Sequence, residues 1–417
     1  LDWSSLEVQA VFKKYWTTNP SYLNAKSAKC DTVPWMPMDS NTLPMFEKLG
    51  YLEVLHEDLE AFVNGGEIHP IFRASNFIID PNLPGKNEMY RAMAPALRVV
   101  SNFIVSKEFS QWWLQVRYGK RSETCPVFLE SSYLEDPLQA HYLLQQEFLE
   151  ISEYIKFTWL AEDPMGNADG ITAATIPMLL RYLENKEVSN KLGNMAARVS
   201  NPTIALSIRY YRYLLVSKKM TPGENLRFQF TLARLLLHEL GHAFFAYFQG
   251  VGPECRVYES DAFEEIGFSL ENALFGAILQ CEGLDIEIRE NSIGPIMASR
   301  FKDLFPIQKP IASFVTMEWV HQWFRLRTWA HIPELKATGK LQVMTTDGFP
   351  RLFQIIRWSG SGKLIPSLEY NLTKEEALRM SKSRPPKKQS QAVRDARKFG
   401  SVGSWYEKVW SKDAVKA

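Results

Sequence analysis

His238-Glu239-Leu240-Gly241-His242 places two imidazoles and a carboxylate within one short run. On a helix, residues four apart fall about 40° from alignment on one face. His238 and His242 can then reach a single ion from neighbouring turns. Glu239 stands beside the first imidazole, where it can take the proton of a water that zinc has acidified to a pKa of about 7. That is the chemistry of a zinc-dependent hydrolase, with peptide cleavage as the favoured reaction. An H-E-x-x-H string arises by chance in on the order of one chain in a hundred, so its context decides. The flanks Leu235-Leu236-Leu237 and Ala243-Phe244-Phe245 are uncharged, which predicts a buried helix whose histidines need partners. Two core histidines satisfied by ordinary hydrogen bonds is the plainer alternative.

Zinc needs at least one more protein ligand. The extension H-E-x-x-H-x-x-G-x-x-H is excluded, because Phe245 and Phe248 occupy the glycine and histidine positions. No histidine follows His242 before His321, so the third ligand is expected to be a carboxylate on a second helix. The stretch from Glu264 to Gly276 supplies one; Asp261, just before it, and Glu264 have capping-box spacing, which would commit both to backbone N–H groups. Glu265 then lies one residue into the helix body and is the preferred ligand, ahead of Glu264, Glu259 and Asp261. Ser269 and Asn272 share its face and are candidates to orient the ligands. Glu271 lies about 120° away and reads as an outer partner or a surface group.

One helix with H-E-x-x-H and a glutamate on the next resembles the gluzincin class of metallopeptidases. The resemblance covers about 40 of the 417 residues and implies a zincin-like fold with His238, His242 and Glu265 on Zn2+ and Glu239 as general base. The thermolysin-like pattern N-E-x-x-x-D is not kept, since Glu264 and Ser269 replace its Asn and Asp. H-E-L-G-H-A-F followed by E-x-G-x-x-x-E-x-x-x-F-G also resembles a group of fungal HExxH proteins. Peptide hydrolysis further requires a group to stabilise the oxyanion. His321 is the catalytic candidate for that role, with Tyr258, Arg325 and Arg327 beside it. His56, His69, His141 and His331 show no ligand spacing and read as structural.

The elements that must position these groups carry their own signals. Thr221 and Glu224 have capping-box spacing, and Pro222 suits a first helical turn. The apolar recurrence Leu226, Phe230, Ala233, Leu237 continues the helix to about Phe248, and Gly250 stops it. A second helix is predicted from about Asn87 to Val116, kinked or begun at Pro95, and others over 137–155 and 173–185. Thr203–Ile208 reads as the edge strand that would align a substrate backbone. Ser359-Gly360-Ser361-Gly362-Lys363 lacks the spacing of a phosphate loop and reads as a hairpin turn between 355–358 and 364–365. No G-x-S-x-G elbow occurs. Residues 382–391 read as a basic linker or tail, with Trp405, Tyr406 and Trp410 docking the C-terminal segment back onto the fold.

The fold class expected is α+β and mainly helical: a zincin-like helix pair with a small sheet and additional N-terminal helices. The regions expected are a helical one over 1–160, a catalytic one over 161–381 and a basic tail over 382–417. Forty-eight basic against 47 acidic residues leave a charge of +1, which gives no reason to expect a nucleic-acid partner. Four scattered cysteines without a CxxC pair argue against a disulfide scaffold, and a cytoplasmic location fits slightly better than secretion. No apolar run reaches the length of a transmembrane helix. No signal-peptide pattern is visible, although a start at Leu1 is compatible with a leader removed before it. The substrate expected is a peptide or a small molecule. Two alternatives stand beside the peptidase: a zinc enzyme acting on a small metabolite in an aromatic-lined pocket, and a non-catalytic, zinc-stabilised binding protein.

Overall fold

The computed structural model describes residues 36–37, 50–52, 66–78, 83, 86–121, 128–129, 135–160, 170–173, 202–216, 221–250, 254–262, 264–280, 296–299, 311–341, 351–358 and 364–371. The helices are α1 (Lys86–Val105), α2 (Ser110–Tyr118), α3 (Pro137–Tyr154), α4 (Ile208–Val216) and α5 (Pro222–Gln249). They continue with α6 (Ile266–Phe275), α7 (Met317–Gln322), α8 (Leu326–Ala330) and α9 (Ile332–Ala337). The strands are β1 (Met36–Pro37), β2 (Lys120–Arg121), β3 (Phe128–Leu129), β4 (Lys156–Leu160), β5 (Gly170–Ala173) and β6 (Thr203–Ser207). After them come β7 (Ile278–Gln280), β8 (Met297–Ser299), β9 (Ile311–Phe314), β10 (Arg351–Trp358) and β11 (Leu364–Asn371). The architecture is α+β and mainly helical. The chain divides into two units, Leu1–Met45 with Thr346–Ala417, and Phe46–Thr345. In the first, β10 and β11 pair antiparallel, with Trp358 opposite Leu364, and β1 lies along β11. These are the two strands expected on either side of 359–363, a turn that itself lies outside the described residues. The helix expected over 173–185 (beyond Ala173), the tail and the docking segment also lie outside them.

The second unit is organised around α5. Thr221 Oγ1 accepts from the Glu224 N–H at 3.2 Å, Pro222 occupies the first turn, and Gly250 closes the helix at φ 79°. A positive φ suits glycine, so the stop falls where the sequence places it. Leu226, Phe228, Phe230, Leu232, Leu236 and Phe244 are all buried, so α5 is apolar around its girth and needs cover on every side. Trp113 and Phe148, from α2 and α3, meet Phe244 edge-on or tilted at 5.2 Å. Phe275 of α6 and Trp319 of α7 close on Phe230.

The helix expected from 87 to 116 breaks at Ser106, whose backbone turns to φ −77°, ψ 121° while its hydroxyl donates to Glu108 Oε2 at 2.8 Å. A local side-chain bond competes there with helix continuation. Pro95 lies inside α1 and has no N–H for the preceding turn. One bond further on, the carboxamide of the buried Gln229 is inserted into the ladder. Its Nε2 donates to the Ala92 carbonyl at 2.7 Å, and its Oε1 accepts from the Ala96 N–H at 3.2 Å. A side chain of α5 thereby bridges two backbone groups of α1 one turn apart, next to the bond that Pro95 removes. Gln229→Leu strands both backbone groups, and unfolding in urea should show a loss of about 2–4 kcal/mol. A loss below about 1 kcal/mol would contradict the bridge.

Beside α5 lies a three-stranded sheet in the order β4-β6-β5, with β4 parallel and β5 antiparallel to β6. Thr203–Ser207 was expected at the edge; it is the middle strand, buried at every position. A continuous apolar run marks a strand covered on both faces, and here it is paired on both sides as well. Among the described residues the edge next to α5 is β5. An antiparallel ladder outside this sheet joins β7, β8 and β9. Among the described residues no helix is long and apolar enough to cross a membrane. Of the histidines read as structural, His69 is buried, accepts from the Ile71 N–H through Nδ1, and is pushed down to about 4 by burial. His141 is half-buried and lowered by burial, His331 is exposed, and His56 lies outside the described residues.

Candidate metal centre

α5 and α6 pack together, and His238, His242 and Glu265 converge between them with their ligand atoms all within 4.8 Å of one another. His242 Nε2 lies 3.3 Å from His238 Nε2, while Glu265 Oε1 lies 3.4 Å from His238 Nε2 and 2.7 Å from His242 Nε2. Around a tetrahedral zinc with bonds near 2.05 Å, ligand atoms stand about 3.3 Å apart. Two edges of this triangle have that length and the third is at hydrogen-bond distance. Two imidazoles and a carboxylate are also a donor set that zinc accepts, so the residues fit the ion. Among the described residues the group consists of three side chains that could ligate an ion, each half-buried, and no fourth His, Cys, Asp or Glu joins it.

Glu265 reaches this position differently from expectation. The Asp261–Glu264 capping box does not form. Glu265 itself is the N-cap of α6, its carboxylate accepting from the Phe268 N–H. Asp261 turns back to the N–H groups of Val257 and Tyr258, at 3.0 Å each, and to the Ser269 hydroxyl at 2.7 Å. Glu264 faces Arg256 at 3.5 Å. The favourable field at the start of a helix thus falls on the carboxylate that faces the histidines. Ser269 is occupied with Asp261 and with Trp112 Nε1, so it does not orient the ligands. Asn272 contributes its carbonyl to the Gly276 N–H at the end of α6.

Each imidazole is instead held from behind by a glutamate. His238 Nδ1 lies 2.9 Å from Glu271 Oε1, which also accepts from Arg234 at 3.1 Å, and Glu271 Oε2 accepts from the Leu279 N–H at 2.9 Å. Glu271 is fully buried, and the Arg234 guanidinium balances its charge. His242 Nδ1 lies 2.5 Å from Glu254 Oε1, and Glu254 Oε2 accepts from the Ile266 N–H at 3.1 Å. A carboxylate on Nδ1 fixes the tautomer that presents Nε2 to an ion. Burial lowers the basicity of both imidazoles, but the carboxylates outweigh it. Glu265 and Glu271 raise His238 to about 9, and Glu254 and Glu265 raise His242 well above its ordinary value. Burial raises Glu265, yet the two imidazoles more than offset this and hold it well below the usual carboxylate range.

Glu239, next to His238 in α5, is buried, and Thr172 Oγ1 on β5 donates to its Oε2 at 2.7 Å. Gly170, two residues back on the same strand face, leaves room for the carboxylate, since a Cβ there would stand 2.8 Å from Glu239 Oε1. Gly267 does the same for His238, where a Cβ would come within 2.5 Å of three ring atoms. The run E-x-G-x-x-x-E-x-x-x-F-G therefore has a physical account. Glu265 faces the imidazoles, Gly267 lies against His238, Glu271 holds its Nδ1, Phe275 packs on Phe230, and Gly276 ends the helix at φ 73°.

His321 is buried in α7, its Nδ1 2.9 Å from Arg325, and is not brought into the cluster. Trp319 of the same helix packs on Phe230, about 12 Å along α5 from His238 at the helical rise per residue. Arg325 also faces Glu318 at 3.9 Å, Arg327 is exposed, and the Tyr258 N–H is given to Asp261. Glu254, Arg234 and Thr172 were not singled out from the sequence. No protein-family model matches the chain, no curated protein matches it, and no solved structure matches its fold.

Proposed function

We propose that this protein is a zinc-dependent hydrolase of zincin-like, gluzincin type that cleaves peptide bonds. Supporting this is one observation above all: His238, His242 and Glu265 converge, and Glu239, the residue after His238 on α5, has its carboxylate held by Thr172 of β5. A zinc ion bound by the three ligands would polarise a substrate carbonyl and lower the pKa of a coordinated water to about 7. The remaining work falls to the chain. Glu239 takes the proton of the attacking water as its oxygen bonds to the carbonyl carbon, then returns a proton to the amine as the carbon–nitrogen bond breaks. Thr172 fixes the rotamer of Glu239 through Oε2. Among the described residues β5 is an edge strand, and its outer backbone donors and acceptors would let an extended substrate add as a further strand, which favours a peptide over a compact metabolite. The lack of a fourth His, Cys, Asp or Glu at the group among the described residues, and the presence of Glu239, favour catalysis over a closed structural zinc.

Metal analysis of the purified chain should find one zinc. Chelation should abolish cleavage of unstructured peptides, and stoichiometric zinc should restore it. A chain that takes up no divalent metal, or a metal-loaded chain that cleaves no peptide, would remove the basis of the reading.

A further inference from the structure

Glu254 is the least expected member of the centre, because it belongs to neither helix. Its carboxylate spans two elements: Oε1 meets Nδ1 of His242 on α5, and Oε2 accepts the first N–H of α6, at Ile266. That peptide group is the one joining Ile266 to Glu265, the proposed third ligand. Glu265 is tied down from its other side by the Phe268 N–H. One side chain therefore orients a ligand on α5 and the backbone that carries a ligand on α6. Glu271 also links two elements, but it is fully buried and paired with Arg234, so removing its charge disrupts a buried ion pair and damages the fold. The Glu254 side chain is 28% exposed, and among the described residues no ion pair sets it against an arginine or lysine.

We infer that Glu254 is a positioning residue which couples His242 to Glu265 and sets the affinity of the centre for its metal. The inference rests on the zinc reading above. A glutamine at 254 can keep one of the two bonds but not both, since its NH2 cannot accept from Ile266 or from a protonated Nδ1. Outer partners of this kind change metal affinity by about 10–100-fold.

The test is zinc affinity of the full chain, measured by chelator competition, for wild type, Glu254→Gln and Glu264→Gln. Glu264 is adjacent to Glu265 and faces Arg256, so its variant reports the loss of a nearby charge alone. Melting of the metal-free proteins is recorded in parallel. The expected result is zinc binding weakened about 10–100-fold in Glu254→Gln and less than threefold in Glu264→Gln, with metal-free Tm values close to wild type. The visible spectrum of the cobalt-substituted Glu254→Gln protein should also change in band position or intensity. Affinity within twofold of wild type, an equal loss in both variants, or a loss matched by a lower metal-free Tm overturns the coupling role. If wild type itself binds no zinc, the metal reading has failed and the inference falls with it, an outcome distinct from a wild type that binds and a variant that binds equally well.

Discussion

Glu239→Gln should leave zinc stoichiometry and affinity unchanged while lowering kcat by about 10²–10⁴, the usual contribution of a general base. A fall of about 10³ corresponds to roughly 4 kcal/mol of lost transition-state stabilisation. Glutamine has nearly the volume of glutamate and its oxygen can still accept from Thr172, so the packing around β5 survives and the missing property is basicity. KM should therefore change little. The reading separates cleanly from a ligand role for Glu239, which would cost zinc as well as rate. Turnover within about threefold of wild type would show that the proton goes elsewhere. Loss of zinc together with turnover would make Glu239 part of the coordination sphere.

How far the sequence reveals this centre depends on how local each interaction is. His238 and His242 share one helix, and the capping and stop signals of that helix are adjacent in sequence, so α5 is legible from Thr221 to Gly250. Glu265 was preferred because a capping box was expected to occupy Asp261 and Glu264, a box that does not form. The reason it faces the imidazoles was nevertheless different, because it begins α6 rather than lying within it. Asp261 illustrates the ambiguity: D-x-x-E spacing suits a capping box, but the same carboxylate can close its own tight turn over Val257 and Tyr258, and burial against Ser269 decides for the turn. Glu254 follows Gly250, Val251, Gly252 and Pro253, a stretch without periodicity, so no pattern directs its side chain anywhere. Thr172 meets Glu239 across 67 residues of chain, and such a contact is visible only once the order of strands in the sheet is known. That order also explains the exchange of edge and middle strands. An apolar run such as Thr203–Ser207 states that both faces are covered, but its neighbours β4 and β5 are short and carry little alternation of their own.

Two glycine-to-alanine substitutions should break the centre in opposite ways. In a helix, alanine is intrinsically more stable than glycine by about 1 kcal/mol, so Gly267→Ala should stabilise α6 if nothing stood nearby. The Cβ would instead meet the His238 ring at 2.5 Å, and neither party can yield cheaply: the ring is held by Glu271, and α6 by its packing on α5. Net destabilisation of about 1–3 kcal/mol is expected, with zinc binding weakened about 100-fold because a ligand is displaced at its source. Alanine likewise costs a strand nothing, yet at Gly170 its Cβ would stand 2.8 Å from Glu239 Oε1 and push the base off its rotamer. Gly170→Ala should therefore keep zinc within about twofold and lose about 10²-fold in kcat, the scale on which a misplacement of about 1 Å is felt. Zinc affinity by chelator competition and turnover on the same preparations measure both effects. Equal loss of zinc in the two variants would mean that β5 supports the metal rather than the base. Retention of wild-type zinc affinity by Gly267→Ala would mean that His238 does not depend on the close approach of α6, and the ligand geometry proposed for the centre would have to be abandoned.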